Sequence, residues 1–111
     1  MKVAVIGSRT FTDKERMFSI LSTYAITEIV SGGAMGADTI AEQWAVANNT
    51  PVTVYKPDWE KFGKKAGFIR NYDIIRDADL VIAFWDGASK GTEHSLRYAK
   101  KIGKQVVIEK F

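Results

Sequence analysis

The 111-residue sequence contains no cysteine and only one histidine, His94. Without cysteine the chain forms no disulfide and no thiolate metal site, and one histidine cannot complete a zinc site of the usual nitrogen and sulfur type. Long apolar runs are also missing, because Gly7 stops the first run, residues 2–6, which is too short for a secretory signal or a membrane span. We therefore expect no metal, no cofactor and no membrane. The expected location is the cytoplasm, which is that of the host if the gene belongs to a phage.

An excess of charge of one sign is lacking as well, because 16 basic residues face 13 acidic ones and the net charge is +3. Dedicated nucleic-acid binders usually carry a stronger basic patch, so nucleic acid is not expected as a partner. Small basic groups occur at 61–65 and 100–104, and the second lies where cations complement the end of a helix. The sequence has no repeat, and its length suits one domain, residues 1–111.

Apolar and helical patterns alternate along the chain. Five short apolar runs predict strands at 2–6, 26–30, 51–55, 79–84 and 105–109. Apolar residues at helical spacing predict helices at 13–24, 37–48, 67–76 and 92–102. Thr12 and Glu15 match a capping box at the start of the first helix, and residues 56–66 form the one long irregular connection. The alternation predicts an α/β fold, a Rossmann-like doubly wound parallel five-stranded sheet of order 3-2-1-4-5 with helices on both faces.

Three glycine-rich loops follow strands one, two and four of this predicted sheet. Ligands of such sheets bind beyond the carboxyl ends of the strands, where the winding reverses. Six of the nine glycines lie in these loops, and glycine lets a backbone approach a ligand closely. Two of the loops end at a helix N-terminus, which favours an anion. The sequence therefore predicts a phosphate-binding site with these residues: Gly7, Ser8, Arg9, Ser31, Gly32, Gly33, Gly36, Ala37, Asp38, Asp86, Gly87, Ser89, Gly91 and Thr92.

Several polar side chains near these loops have two interpretations. Arg9 either clamps an anion or is a solvated surface residue. Asp38 either caps the second helix or accepts a hydrogen bond from a ribose hydroxyl, and Thr92 either caps its helix or binds a phosphate. His94 is a partly exposed polar residue or, alternatively, a general base.

The three tryptophans divide into two groups. Trp44 falls on the apolar face of the second predicted helix and is expected in the core. Trp59 and Trp85 lie in loops beside charged residues. An aromatic ring at such a position either stacks on a base or seals a loop.

Several separated motifs carry a resemblance to a known family. They are G-S-R-x-F-T-D (7–13), S-G-G-A-x-G-A-D (31–38), A-E-x-W-A (41–45), P-D-W (57–59), G-K-x-A-G-x-x-R-N (63–71) and A-D-L-V-I-A-F-W-D-G-x-S-x-G-T (78–92). Together they resemble the YspA-like branch of the SLOG superfamily over nearly the whole chain. This resemblance implies a Rossmann-like fold. It also implies a nucleotide-related ligand, since the superfamily includes the LOG phosphoribohydrolases, the DNA-processing protein DprA and sensors of ADP-ribose derivatives.

The resemblance also implies roles for single residues. Gly32, Gly33 and Gly36 look like a first phosphate loop, and Gly91-Thr92 looks like a second, similar to the G-T of the enzymes' P-G-G-x-G-T-x-x-E motif. Arg70 looks like the arginine of the enzymes' E-R-K segment, although Asn71 follows it here instead of lysine. Both Arg70 and Asn71 are therefore expected at the ligand.

The second loop departs from the enzymes at their acidic position. Ser95 stands where the enzymes have glutamate, and the nearest acid is Glu93, whose side chain is rotated by about 200° on a helix. Asp86, at the end of a strand, is another candidate for the missing acid. Arg70, Asp86 and Glu93 are thus the catalytic candidates, and whether the protein is an enzyme stays open.

The sequence leads to an expected small-molecule partner. We expect the chain to bind a nucleotide or an ADP-ribose-like signalling ligand, for sensing or sequestration, with Glu93 and the two loop tryptophans also near it. The alternative is a phosphoribohydrolase-like enzyme that cleaves the N-glycosidic bond of a nucleotide. A third reading, single-stranded DNA binding, needs a positive channel, and a net charge of +3 argues against it. Because related domains pair through helices, a homodimer or tetramer is expected.

Overall fold

The computed structural model describes residues 1–111 as an alternation of strands and helices. The strands are β1 (Lys2–Gly7), β2 (Glu28–Ser31), β3 (Val52–Val54), β4 (Leu80–Trp85) and β5 (Gln105–Lys110). The helices are α1 (Lys14–Leu21), α2 (Ala37–Ala47), α3 (Trp59–Phe62), α4 (Ala66–Asp77) and α5 (Lys90–Lys101), with a 3-10 turn at Gly63–Lys65. None of these helices combines the length and the apolar character that a membrane crossing requires.

The five strands form one parallel sheet of order β3-β2-β1-β4-β5, as the sequence predicts. β1 is central, and its Ala4 lies opposite Val30 of β2 and Val81 of β4. The winding reverses between β1 and β4. The loops that follow these two strands therefore lie side by side at the carboxyl edge of the sheet, where ligands of such folds bind.

Each face of the sheet carries its own hydrophobic core. Val3 and Val5 of β1 pack with Met17 of α1 and Trp44 of α2 on one face. The residues between them, such as Ala4, pack on the other face in a cluster built with α4 and α5. This alternation is the period of a strand that is buried on both sides. Trp44 is 5% exposed and belongs to the core, as the sequence predicts.

The ends of the first helix differ from the prediction. The N-cap of α1 is Asp13, whose carboxylate accepts a hydrogen bond from the Arg16 N–H at 3.1 Å. The capping box of Thr12 and Glu15 is therefore wrong by one residue, because Asp13 has the same capping chemistry as Thr12 and lies next to it. The helix ends at Leu21, three residues earlier than predicted.

Two further boundaries correct the prediction around the site. Residues 56–66 are not wholly irregular, because the Asp58 carboxylate accepts from the Lys61 N–H at 3.1 Å and caps α3. α5 begins at Lys90, two residues earlier than predicted. Gly91 is consequently the second residue of a helix and not part of a loop.

Candidate functional site

Ser8 joins the three predicted loops at the carboxyl edge of the sheet. Its Oγ accepts a hydrogen bond from the Asp86 N–H at 3.2 Å, and its carbonyl oxygen accepts from the Ala37 N–H at 3.4 Å. Its own N–H donates to the Phe84 carbonyl at 2.9 Å. One buried residue after β1 thus contacts the start of α2, the end of β4 and the loop before α5.

A cavity of about 450 Å³ opens where these loops meet. Ten of the residues predicted from the sequence line it: Gly7, Ser8, Arg9, Asp38, Arg70, Asn71, Asp86, Ser89, Gly91 and Thr92. Only three lining residues are hydrophobic. A polar, open cavity of this kind suits a charged ligand better than an apolar one.

Asp38 closes the first glycine loop from inside. Its Oδ2 accepts hydrogen bonds from the N–H groups of Gly32 and Ala34, both at 3.2 Å. The Gly33 N–H donates to the Ser31 Oγ at 3.2 Å. Most amides of this loop therefore have partners within the protein. Asp38 does not cap α2, whose N-cap is Gly36.

The charge of Asp38 is set by its burial. The side chain is 8% exposed, and desolvation raises the pKa of the Asp38 carboxyl to about 6, against the lowering effect of the two loop amides and of Arg70. The Arg70 guanidinium lies beside the same loop and donates from Nη1 to the Gly32 carbonyl at 2.8 Å. Desolvation lowers the pKa of Arg70, and the neighbouring Arg9 adds to that effect.

Two arginines bring positive charge to the cavity. Arg70 is half-buried and is held by Gly32 and by the Asn71 Oδ1, which accepts from Nε at 2.8 Å. Arg9 is exposed, lines the cavity and takes part in no hydrogen bond or ion pair through its side chain. Its guanidinium is therefore free to bind an anion.

The N-terminus of α5 forms the wall opposite the first glycine loop. Asp86 Oδ1 accepts from the N–H groups of Ala88 and Ser89, at 2.9 and 2.8 Å, and these bonds lower the pKa of the Asp86 carboxyl. The next three N–H groups, those of Lys90, Gly91 and Thr92, have no acceptor in the protein. They are the unsatisfied donors of a helix start, which attract anions.

Glycine occupies the positions of this site for different physical reasons. A Cβ on Gly7 would lie 2.4 Å from the Phe84 carbonyl oxygen, and one on Gly36, whose φ is +78°, would lie 2.5 Å from the carbonyl oxygens of Ser8 and Arg9. These two glycines allow the loops to pack on each other. Gly91 differs, because a Cβ there would meet nothing within 4 Å and its φ is not positive.

Several predicted residues lie outside the cavity lining. They are Ser31, Gly32, Gly33, Gly36, Ala37, Trp59, Trp85, Gly87 and Glu93. Trp85 seals the loop before α5, since its Nε1 donates to the Ser89 carbonyl at 3.0 Å. Glu93 pairs with Arg97 on the outer side of α5, whereas Ser95 lines the cavity, as the helical rotation predicts.

Five lining residues were not among the predicted site residues: Ile6, Thr10, Ala34, Ile74 and Ser95. Thr10 and Ala34 lie in two of the predicted loops, each next to a residue that was predicted as part of the site. Ile74 follows Arg70 by one helical turn, and Ser95 follows Gly91 by one turn. The helical period is the signal that finds these two residues.

An exposed segment that precedes α4 combines basic and aromatic side chains. This basic-aromatic segment, residues 56–65, contains four lysines against two acids. Its rings of Trp59 and Phe62 are 59% and 38% exposed. A Cβ on Gly67 would lie 3.8 Å from Trp59 Cη2, so the indole stands at the start of α4, one helical turn from Arg70.

Comparison with known proteins identifies relatives by sequence. A model of the family described as YspA, cpYpsA-related SLOG matches residues 1–62. The Gene 61 protein of Mycobacterium phage D29 is 40% identical, over 96% of this chain and 94% of that protein. Both matches agree with the family that the sequence motifs indicate.

Two solved structures resemble the fold. One is DNA processing protein A from Helicobacter pylori, described for its single-stranded DNA binding mode, with a TM-score of 0.77 and 25% identity. The other is DprA from Streptococcus pneumoniae, with a TM-score of 0.81 and 21% identity, a likeness that shows the fold alone. The matches cover 97% and 96% of this chain but only 64% and 49% of those proteins.

These likenesses correct two predictions from the sequence. The expected small ligand, a nucleotide or an ADP-ribose derivative, is wrong, because the structural neighbours are DNA-processing proteins and one is described for binding single-stranded DNA. The expectation that nucleic acid is not a partner is wrong for the same reason.

Proposed function

The chain belongs to the YspA, cpYpsA-related SLOG family, and from that premise we propose that it binds single-stranded DNA along the carboxyl edge of its sheet. The proposal is supported by the likeness to the Helicobacter protein. The observation that carries it is local. Exposed aromatic rings and lysines of the basic-aromatic segment lead into α4, the helix that supplies Arg70 to a polar cavity with a free arginine and free helix N–H groups.

The phosphates of the strand bind in the cavity under this proposal. Arg9 supplies an unpaired guanidinium, and Arg70 supplies a second one that is oriented by Gly32. The N–H groups of Lys90, Gly91 and Thr92 donate to a phosphate oxygen at the start of α5. These groups read no sequence, so the phosphate part of the site positions the strand without selecting bases.

The bases stack on the exposed rings under this proposal. Trp59 and Phe62 are solvent-exposed although large aromatic side chains are strongly apolar. Lys61 precedes Phe62, and Lys64 and Lys65 follow it, whereas Asp58 and Glu60 stand next to Trp59. Exposed rings and cations in one segment suit a single strand, because each base has a face to stack and each phosphate a charge to neutralise. The net charge of the whole chain does not reveal this local group, because it averages over all 111 residues. Four of the sixteen basic residues lie within the ten positions 56–65.

The proposal is tested by fluorescence anisotropy with a labelled strand of about 16 thymidines, the upper end of the range for small single-strand-binding modules. A duplex of equal length and free thymidine monophosphate are the competitors. We expect the strand to bind, the duplex to compete weakly, and the affinity to fall as salt rises. Absence of binding to the strand at low salt would overturn the proposal.

A charge-neutral variant identifies the phosphate contacts. Arg9→Gln removes one cation that makes no bond within the protein, so the fold is expected to persist. We expect the affinity to fall about tenfold and the slope of log K against log salt to change by about 0.7. The matched control is Lys101→Gln at the C-terminal end of α5, an exposed cation whose side chain also makes no bond within the protein, and we expect it to change neither value. Equal losses in both variants would show that the effect is general charge.

Several further expectations stay predictions. They are that residues 1–111 form one domain, that two or four copies associate, and that the protein acts in the host cytoplasm, which is supported by the phage origin of its 40% identical relative. Sedimentation velocity with and without the thymidine strand measures the association. A single monomeric species in both samples would contradict it.

A further inference from the structure

A second cavity lies next to the first, on the outer side of α5. Its volume is about 370 Å³, and it is lined by Phe68, Lys90, Gly91, Glu93, His94 and Arg97. Gly91 lines both cavities. When a DNA strand places a phosphate against the N–H groups of α5, the second cavity therefore offers an adjoining space for the base of the same or the next nucleotide.

The wall of this second cavity is aromatic. The ring centroids of Phe68 and His94 are 4.6 Å apart, and the ring of Tyr72 follows at 5.5 Å from His94. The Tyr72 hydroxyl and His94 Nε2 are in hydrogen-bond contact at 3.3 Å, whereas His94 Nδ1 is buried and has no partner. Phe68 is 45% exposed. The exposed ring of Phe68 is therefore packed against the rings of His94 and Tyr72, an arrangement that suits stacking of a base.

A donor and an acceptor stand beside that ring. Glu93 and Arg97 form an ion pair one helical turn apart on α5. The contact uses Glu93 Oε1 and Arg97 Nη2, so the second carboxylate oxygen and the remaining guanidinium N–H groups stay available. Lys90 adds a cation at the same rim.

We propose that this second cavity is a base subsite for the bound single strand and that it prefers guanine. The inference rests on the proposed function and adds a specificity to it. Guanine offers two adjacent donors on its Watson–Crick edge for the Glu93 carboxylate, and the acceptors O6 and N7 for the Arg97 guanidinium. Thymine has no amino group and lacks N7. Adenine and cytosine each offer one amino group and a neighbouring acceptor, whereas guanine alone offers two adjacent donors to the carboxylate together with the two acceptors O6 and N7.

The subsite is tested by comparing strands that differ at one base. The labelled strand of thymidines is measured beside strands that carry one central dG, dA or dC. We expect dG to increase the affinity about fivefold, the low end for a specific base contact because the ion pair is exposed. We expect dA and dC to give smaller increases.

Variants locate the preference in the second cavity. Glu93→Gln keeps the shape but removes the anion, and we expect the ratio of dG to thymidine affinity to fall toward one. Phe68→Leu removes the ring and lowers the affinity for all strands, while Phe68→Tyr retains it. Circular dichroism melting confirms that each variant is folded.

The outcomes separate the two proposals. If thymidine strands bind and Arg9→Gln weakens them, but dG gives no gain, the base subsite is overturned and the proposed function stands. If dG gives a gain that Glu93→Gln leaves intact, the subsite lies elsewhere and this inference fails. If no strand binds, both proposals fail.

Discussion

Replacement of Gly91 by alanine tests whether the start of α5 is shaped by its fold or by its ligand. Gly91 is the second residue of α5, its φ is not positive, and a Cβ there would meet nothing within 4 Å. Alanine is favoured over glycine in a helix by about 0.5–1 kcal/mol. The free energy of unfolding of Gly91→Ala should therefore rise by about that amount, which corresponds to a rise in Tm of roughly 3 °C.

The same substitution should weaken DNA binding. The methyl group occupies the open space that both cavities share, and it stands beside an N–H that donates to the phosphate under our proposal. Loss or distortion of one charge-assisted hydrogen bond should reduce the affinity by about tenfold. The variant is thus expected to be more stable and less active, two effects of opposite sign from one methyl group.

Thermal melting and anisotropy with the thymidine strand measure the two effects on the same samples. Gly67→Ala is the control for the helix effect alone, because Gly67 is the second residue of α4 and a Cβ there makes an ordinary 3.8 Å contact with Trp59. It should gain similar stability. If Gly91→Ala binds DNA as tightly as the native protein, the ligand does not explain this glycine. If it melts earlier, the helix argument is wrong.

Three further predictions concern charge, stacking and the loop before α5. The folded pKa of Asp38, about 6, lies above its ordinary value of 3.8, so its contribution to stability is complete below pH 4 and is lost as the pH rises through 6. Asp38→Asn should remove this dependence and gain up to about 3 kcal/mol at pH 7.5 in urea unfolding; a loss of stability there would show that the ionised carboxylate is needed by the loop. Trp59→Ala should lower the affinity for the thymidine strand about tenfold with an unchanged melting curve, and an unchanged affinity would place the bases elsewhere. Asp86→Ala should lower the midpoint of urea unfolding through loss of the bonds to Ala88 and Ser89, and an unchanged midpoint would mean that water replaces the carboxylate.

The fold was predictable because its signals are repeated along the chain. Five apolar runs and the intervening helical stripes each specify one element, and an error at one boundary leaves the order unchanged. The errors arose where neighbouring residues share a chemistry, as Thr12 and Asp13 do at the start of α1. α3 was missed because one turn held by Asp58 has too few residues to show a period.

For the site, the sequence predicted which loops meet but not which groups bond to each other within them. Glycine content identified the loops, but it did not reveal that the Asp38 carboxylate occupies their amides, because hydrogen-bond partners depend on three-dimensional placement. The partner was predicted wrongly from the net charge, which averages over the chain. Under our proposal the relevant quantity is the local group of lysines and exposed rings at 56–65.

The three bonds of Ser8 have a kinetic consequence. Its N–H, carbonyl and hydroxyl each contact a different part of the surrounding backbone. We therefore expect the end of β4, the start of α2 and the loop before α5 to move together. Under our proposal an incoming strand then meets a preorganised cavity, and the freedom lost on binding is mainly that of the strand. Association should then be governed by diffusion and electrostatic attraction, and differences in affinity among strands should appear in how slowly they leave.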